Sequence, residues 1–94
     1  MEELLSKIVK DDVIVTYDVR EYFGRKVIAY TTKNSNKYYS SFPWCFAVEH
    51  KGKIQNFYGI PNYVETKAKA LKRGWYRAKW MHDGTWNNRY RSWK

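Results

Sequence analysis

The feature of this chain that most constrains its fold is one long segment with helical periodicity, which follows several short segments with strand periodicity. Residues 63–82 carry apolar side chains at helical spacing. Asn62 and Glu65 form a predicted capping box at the start, and Gly84 is a predicted stop signal. A chain of 94 residues has room for one domain, so we expect a single domain in residues 1–84 whose C-terminal helix covers a sheet.

Four segments before this helix are predicted to be strands, at residues 13–22, 27–32, 43–50 and 53–59. In the first strand, Val13, Val15, Tyr17 and Val19 alternate with polar residues, so these four side chains are expected to face the core. The third strand places Trp44, Phe46 and Val48 on one face and Cys45 and Ala47 on the other. Lys51 and Gly52 make a tight turn before the fourth strand.

The remaining segments complete a predicted α+β class. Residues 2–10 are expected to form a short helix at an edge of the sheet, and residues 33–37 a polar loop. The expected architecture is a three- to four-stranded antiparallel sheet packed against the C-terminal helix. Residues 85–94 are interpreted as a basic, aromatic C-terminal tail.

The predicted C-terminal helix has faces of different chemistry at 100° per residue. The stripe expected to lie on the sheet contains Val64, Ala68, Leu71, Trp75, Ala78 and His82. On this basis the Trp75→Ala substitution is expected to cost about 3–5 kcal/mol as the loss of a buried ring. The opposite stripe, here called the cationic helix face, contains Lys69, Lys72, Arg73, Tyr76, Arg77 and Trp80.

A third, narrow stripe of small or flexible residues lies between these two faces, at Ala70, Gly74 and Met81. A glycine inside a helix costs about 1 kcal/mol relative to alanine, and close packing at that point usually offsets the cost. The stripe could therefore admit another backbone. Homodimer formation, through this stripe or through an edge strand, is a prediction of the sequence.

Charge is concentrated at the C-terminal end of the chain. The formal net charge is +9, and residues 63–94 carry nine Lys or Arg against two acids, with tryptophan and tyrosine among the cations. Cations attract phosphates, and aromatic rings stack on bases. The pattern predicts RNA binding by the cationic helix face, with Arg89 and Arg91 of the tail as further phosphate contacts. Neutralising about five phosphates would give a slope of log K against log salt of about −4.

Composition excludes several other classes of protein. With a single cysteine, Cys45, the chain can form no internal disulfide and no cysteine zinc cluster. No apolar run approaches the ~20 residues of a membrane span, and the acidic N-terminus does not resemble a secretory signal. We expect a cytoplasmic protein, in the host cell if it is viral, with no membrane association, no metal and no cofactor.

The candidate residues for catalysis are Glu49, His50 and Lys51, which form the one local acid–base cluster of the sequence. Because adjacent strand residues point to opposite faces, Glu49 and His50 are not expected to converge. His82 is interpreted as a packed or capping histidine, and Cys45 as a small buried residue. The sequence therefore predicts a protein that is not an enzyme.

Part of the chain resembles a double-stranded-RNA-binding domain. The resemblance lies in the order helix, three strands, helix, and in Trp44, Phe46, Gly52, Gly59 and the segment 66–71 (TKAKAL). In that family, lysines at the start of the second helix bridge phosphates across the major groove. The resemblance implies this role for Lys67, Lys69, Lys72 and Arg73. The exact lysine pair of the family is not reproduced.

In size, basicity and exposed aromatic–cationic character, the chain also resembles small early proteins of T4-like bacteriophages. One such family is an RNA-binding inhibitor of the ToxN endoribonuclease toxin. This resemblance implies a dimeric RNA binder that inhibits a host toxin through bound RNA. It assigns no role to individual residues.

The expected function is therefore RNA binding that is largely independent of sequence, in a phage counter-defence role. The alternative is a protein-interaction inhibitor that docks the same basic face onto an acidic host protein without nucleic acid. Arg73→Glu combined with Arg77→Glu is expected to abolish RNA binding and to leave the fold intact, since both side chains are predicted to face solvent.

Overall fold

The structure, a computed structural model, describes residues 2–9, 11–57 and 62–84. Its elements in chain order are α1 (Glu2–Ile8), β1 (Ile14–Tyr22), β2 (Arg25–Thr32), α2 (Lys33–Tyr38), β3 (Trp44–His50), β4 (Lys53–Phe57) and α3 (Lys67–Asp83). The predicted α+β class is confirmed: a four-stranded antiparallel sheet carries the C-terminal helix α3 and a short N-terminal helix. The predicted tail, residues 85–94, lies outside the described residues.

The sheet is an antiparallel meander in the order β1-β2-β3-β4. Two-residue turns connect β1 to β2 and β3 to β4, and each turn has positive φ at both positions: 55° and 72° at Phe23 and Gly24, 52° and 81° at Lys51 and Gly52. Turns with positive φ at both positions match the right-handed twist of the strands. The tight turn predicted at Lys51 is confirmed. β1 and β4 are the edge strands.

The central strands β2 and β3 are buried on both faces. One face carries Val27 and Ala29 of β2 with Phe46 and Val48 of β3, and α3 packs on this face. The other face carries Ile28, Tyr30, Cys45 and Ala47, and the apolar side of α1 packs there. Two covered faces explain why these strands show almost no polar residues at alternate positions.

Helix α1 lies on the second face of the sheet and contacts the edge strand β4, in agreement with its predicted position at an edge. Ile8 and the half-buried Leu5 belong to the apolar cluster of that face. The side chain of Asn56 on β4 donates to the carbonyl oxygen of Ile8 at 2.7 Å and accepts from the hydroxyl of Tyr30. These two hydrogen bonds of Asn56 hold the C-terminal end of α1 against the sheet.

The predicted orientation of β1 is wrong for its first half. Val13, Val15 and Tyr17 are 62%, 58% and 46% exposed. A register shift between Ile14 and Thr16, where Ile14 pairs with Thr32 and Thr16 with Thr31, inserts a bulge at this point. The bulge changes which side chains face inward before Thr16, so simple alternation from Val13 fails there. Tyr17 keeps the face of Val19, because it pairs with Tyr30 as Val19 pairs with Ile28, but it is exposed on the edge strand.

The predicted polar loop at residues 33–37 is instead the short helix α2. Thr32 and Ser35 form a reciprocal capping box: the Ser35 backbone N–H donates to the Thr32 hydroxyl at 3.0 Å, and the Thr32 backbone N–H donates to the Ser35 hydroxyl at 2.8 Å. Both residues are buried. Here serine takes the position that glutamate or glutamine usually holds, so the signal was not recognised.

Helix α3 begins later than predicted and ends where predicted. Its N-cap is Thr66, whose hydroxyl accepts from the Lys69 backbone N–H at 3.2 Å. The predicted cap at Asn62 is wrong, because Val64 extends the sheet through two backbone hydrogen bonds with Trp44. Gly84 adopts the left-handed conformation with φ of 73° and stops the helix.

The predicted rotation of α3 about its axis is only partly confirmed: Ala78 is buried and Leu71 packs against the core, as expected. The residues buried against the sheet are Ala70, Gly74 and Ala78, whereas Ala68 and His82 are exposed. A Cβ atom at Gly74 would lie 2.1 Å from Cγ1 of Val27, so the helix backbone approaches β2 directly at this point. The stripe of small residues thus packs against the chain's own sheet. Because Ala70 and Gly74 are buried there, the predicted self-association through Ala70, Gly74 and Met81 is wrong for these two residues.

Candidate nucleic-acid interface

The side of α3 that carries the candidate cations overhangs the edge strand β4. The guanidinium carbon of Arg77 lies 4.6 Å from the ring centroid of Phe57 and 5.9 Å from that of Trp80. Arg73 precedes Arg77 by one helical turn and therefore lies on the same side. Phe57 is buried between the sheet and this part of the helix. The contact fixes the direction in which the cationic helix face points.

Four of its six residues are exposed, namely Lys69, Lys72, Arg73 and Tyr76. Arg77 and Trp80 are half-buried, because the inward stripe is centred on Gly74 and lies closer to them than predicted. The expectation that Arg77 faces solvent is therefore only partly met. A substitution of Arg77 removes a packing contact with Phe57 as well as a charge.

Ion pairs account for more of the cations on α3 than the sequence suggested. Lys69 pairs with Glu65, and Lys79 pairs with Asp83 at 2.8 Å. Lys67 pairs with Asp18 of β1 at 3.2 Å. Two of these three pairs have the i,i+4 spacing, so both acids of residues 63–84 are paired with cations of the helix.

Lys72 and Arg73 differ from their neighbours, because neither forms an ion pair within residues 2–9, 11–57 and 62–84. Both are exposed. Burial lowers the pKa of the Arg77 guanidinium below its usual value, and the positive charge of Arg73 lowers it further. Two guanidinium groups one turn apart that repel each other form a local excess of positive charge, to which an anion is attracted.

Rings extend this charged surface along and across the helix. Tyr76, 41% exposed, lies 6.0 Å from Trp80 and 5.1 Å from Trp75 between ring centroids. Trp75 is half-buried and contacts Phe23 of the β1–β2 turn at 5.5 Å. Tyr76 is therefore the ring on this surface with the most area available for stacking, and its neighbours hold it in place.

A second electrostatic feature joins α3 to β1. Partial burial alone would raise the pKa of Asp18, but the hydrogen bond from Lys67 and the charges of Arg20 and Lys67 lower it below its usual value. Asp83 at the other end of the helix behaves similarly, since a hydrogen bond from Lys79 lowers its pKa. These two carboxylates are therefore each paired with a lysine of the helix, Asp18 with Lys67 and Asp83 with Lys79.

Other basic residues of the chain lie on other elements or outside the described residues. Arg89 and Arg91 belong to residues 85–94, which the structure does not describe. Lys33 and Lys37 lie on α2, and Lys51 lies at the tip of the β3–β4 turn. Cys45 is buried, in agreement with its predicted apolar role. The exposed His82 stacks on Phe23 with 5.4 Å between ring centroids.

Glu49 and His50 of the local acid–base cluster point to opposite faces of the sheet, as expected. Glu49 pairs with Lys26 and Ile54 in the sheet register, and its carboxylate accepts from the backbone N–H of Gly52. His50 follows it on the strand and points to the face that carries α3, together with Val48. An acid and a base on opposite faces of one sheet cannot act on the same bond.

Arg25, His50 and Lys53 form a set of basic residues that was not predicted as a group from the sequence. His50 pairs with Lys53 across the β3–β4 hairpin, and the register of β2 and β3 places Arg25 opposite His50. The three therefore form a row across three strands, on the face that carries α3. The hairpin turn could have revealed the pairing of His50 with Lys53, but Arg25 and His50 lie 25 positions apart, so the β2–β3 register is not encoded locally.

Comparison of the chain with protein families, curated proteins and solved structures finds no significant match. In the described part of the chain, no group of three or more His, Cys, Asp or Glu could hold a metal ion. None of the described helices combines the length and apolar character that crossing a membrane requires.

Proposed function

We propose that this protein binds RNA through the cationic helix face, mainly by neutralising phosphates and largely independently of base sequence. One observation carries the proposal: Lys72 and Arg73 are exposed cations without a carboxylate partner among the described residues, and they adjoin exposed and half-buried rings. A folded domain gains nothing in stability from like charges placed together, whereas a polyanion compensates them.

Each residue of the surface has a distinct role in this proposal. Phosphates next to Arg73 and Arg77 each accept from one of the two guanidinium groups and relieve their mutual repulsion. Lys72 contacts a neighbouring phosphate. Tyr76 stacks on an exposed base, and Trp80 supports it at 6.0 Å. Lys69 takes part only when its ion pair with Glu65 opens.

The paired lysines reduce the number of phosphate contacts that the helix can supply. If Lys72, Arg73 and Arg77 each neutralise one phosphate of a single strand, the slope of log K against log salt is about −2. The slope of about −4 expected from the sequence then requires contacts from elsewhere in the chain, such as Arg89 and Arg91. Measuring the slope thus reports how much of the interface lies on α3.

A matched pair of variants tests the proposal. Lys72→Gln combined with Arg73→Gln removes two charges from the helix face and should make the slope shallower by about 1.4 to 1.8. Lys7→Gln combined with Lys26→Gln removes two exposed charges from α1 and from the start of β2, on the opposite side of the sheet. The control should leave the slope nearly unchanged, because net charge alone does not define a contact.

Two assays distinguish this proposal from the alternative, docking of the basic face onto an acidic protein. Gel shifts with random single-stranded RNA and with duplex DNA should show RNA binding at micromolar concentration or below, and the first variant pair should weaken it at least about tenfold. No RNA binding at low salt, or equal loss in both variant pairs, would refute the proposal and favour the protein partner.

We further propose that the bound RNA serves a counter-defence role, the inhibition of a host ribonuclease toxin. Bound RNA would join this protein to a host ribonuclease toxin, because both molecules contact the same strand. The Lys72 and Arg73 variant should then lose toxin inhibition in proportion to its loss of RNA affinity. Inhibition that persists without RNA binding would separate the two properties.

A further inference from the structure

A pocket of about 270 Å³ lies where the C-terminal part of α3 passes over the end of the sheet. Its lining includes Arg25, His50 and Lys53 from the row across three strands, together with Val48, Gln55 and Met81. Met81 contributes from the helix, and Val48 forms part of the core beneath. The volume is close to the lower end of the range for small-molecule sites, so the pocket suits a small ligand.

The polar atoms of this pocket have unused hydrogen-bonding capacity. Nε of Arg25 and Nδ1 of His50 are buried and have no hydrogen-bond partner among the residues that the structure describes. Another nitrogen of Arg25, Nη1, donates to the carbonyl oxygen of Phe23 at 3.0 Å, which holds the guanidinium in place. Buried polar atoms without partners are costly and uncommon, so each one suggests a ligand that would satisfy it.

The charges of the pocket select an anionic ligand. Arg25 and Lys53 are cations, and no carboxylate lines the pocket within the described residues. Glu49, the nearest acid along β3, belongs to the opposite face of the sheet. A buried guanidinium N–H requires an acceptor, and an anion also compensates the charge.

The apolar walls and the position of the pocket indicate which kind of anionic ligand it can bind. Met81 offers an apolar side chain on which a flat ring can pack, and the nearly buried Val48 lies at the base of the pocket. Gln55 and Phe57 lie on the α3 side of β4, and Phe57 is the ring beneath Arg77. The same side of β4 therefore connects the pocket to the cationic helix face, over about 13 Å from Lys53 to Phe57.

We propose that this pocket binds a single nucleotide of the RNA strand that lies on the cationic helix face. The phosphate accepts hydrogen bonds from Arg25 and Lys53, the base packs against Met81, and Nδ1 of His50 hydrogen-bonds the same nucleotide. This inference rests on the proposed RNA binding for its choice of ligand. It adds to the phosphate contacts of α3 a pocket that binds one nucleotide of the strand.

The test uses the full chain and observes the His50 ring by NMR during titration with three probes: adenosine 5′-monophosphate, adenosine and inorganic phosphate. The monophosphate should shift the His50 ring signals in a saturable manner, with an affinity at least about tenfold above that of either part alone. Unchanged His50 signals at millimolar monophosphate would overturn the proposal. Equal affinity for phosphate alone would also overturn it, by showing a simple anion site.

A matched pair of variants on the same hairpin tests the contacts. Lys53→Gln should weaken monophosphate binding about tenfold, since Lys53 lines the pocket. Lys51→Gln removes the same charge two residues away at the exposed tip of the turn and should have little effect. Equal losses in both variants would refute a specific pocket contact.

The outcomes separate this inference from the proposed function. If RNA binds and responds to the Lys72 and Arg73 substitutions while the His50 signals do not change, only the pocket proposal fails. If the monophosphate shifts His50 but those substitutions leave RNA affinity intact, the RNA surface proposed on α3 fails and the pocket stands as a mononucleotide site.

Discussion

Replacing Gly74 by alanine should destabilise this protein, although alanine is the better helix former. At an exposed helix position the same change would stabilise by about 1 kcal/mol. At Gly74 the new Cβ would lie 2.1 Å from Cγ1 of Val27, and 3.3 and 3.4 Å from its Cβ and Cγ2. Val27 is fully buried, so it cannot rotate away without displacing its neighbours. Close approach of α3 to β2 therefore depends on the absence of a side chain here.

The magnitude follows from two opposing terms. Overpacking a well-filled core costs about 1–3 kcal/mol, and a contact this short belongs at the upper end of that range. Subtracting the gain in helix propensity leaves a net loss of about 2 kcal/mol. For a domain of this size, such a loss lowers the melting temperature by roughly 8–16 °C.

Urea denaturation of the wild type and Gly74→Ala measures this loss directly. The pair Lys72→Ala and Lys72→Gly, at an exposed position in the interior of the same helix, is the control for propensity, and the glycine variant should be about 1 kcal/mol less stable than the alanine variant. Adding Val27→Ala removes the atoms that clash, so Gly74→Ala should cost much less in that background. A more stable Gly74→Ala protein, or additive effects of the two substitutions, would show that α3 does not rest on Val27.

Two further predictions concern the sides of the same helix. Trp75→Ala should lower the free energy of unfolding by about 1–2 kcal/mol, measured by heat or urea. This is less than the ~3–5 kcal/mol of a fully buried ring, because Trp75 is only half-buried. A loss of 4 kcal/mol or more would contradict this placement. Because the pKa of Asp18 is lowered in the folded state, the unfolded chain binds that proton more readily, and stability is lost as the pH falls from roughly 4 through the lowered pKa. Asp18→Asn should reduce the slope of stability against pH in that acidic range, and an unchanged profile in urea titrations would show that the contact with Lys67 contributes nothing.

The cationic helix face could be recognised from sequence because it depends on composition more than on geometry. Lys72 and Arg73 lie far enough from the buried stripe that an error in helix rotation left them exposed. Arg77 lies nearer to that stripe, and the same error hid its contact with Phe57. The ion pair of Lys67 with Asp18 joins residues 49 positions apart, so no local pattern could reveal it.

Local chemistry by itself determined the class, the order of the main elements, the tight turn at Lys51 and Gly52 and the end of α3 at Gly84, because each depends on residues that are neighbours in the chain. Only the tertiary structure decided which side of α3 meets the sheet. Periodicity identifies a helix but does not choose between overlapping stripes, and the sheet already presents Val27, Phe46 and Val48 at that surface. The helix therefore packs through its smallest residues, Gly74 among them, and its larger side chains lie to either side. The row of Arg25, His50 and Lys53 likewise exists only because strand register brings distant residues together.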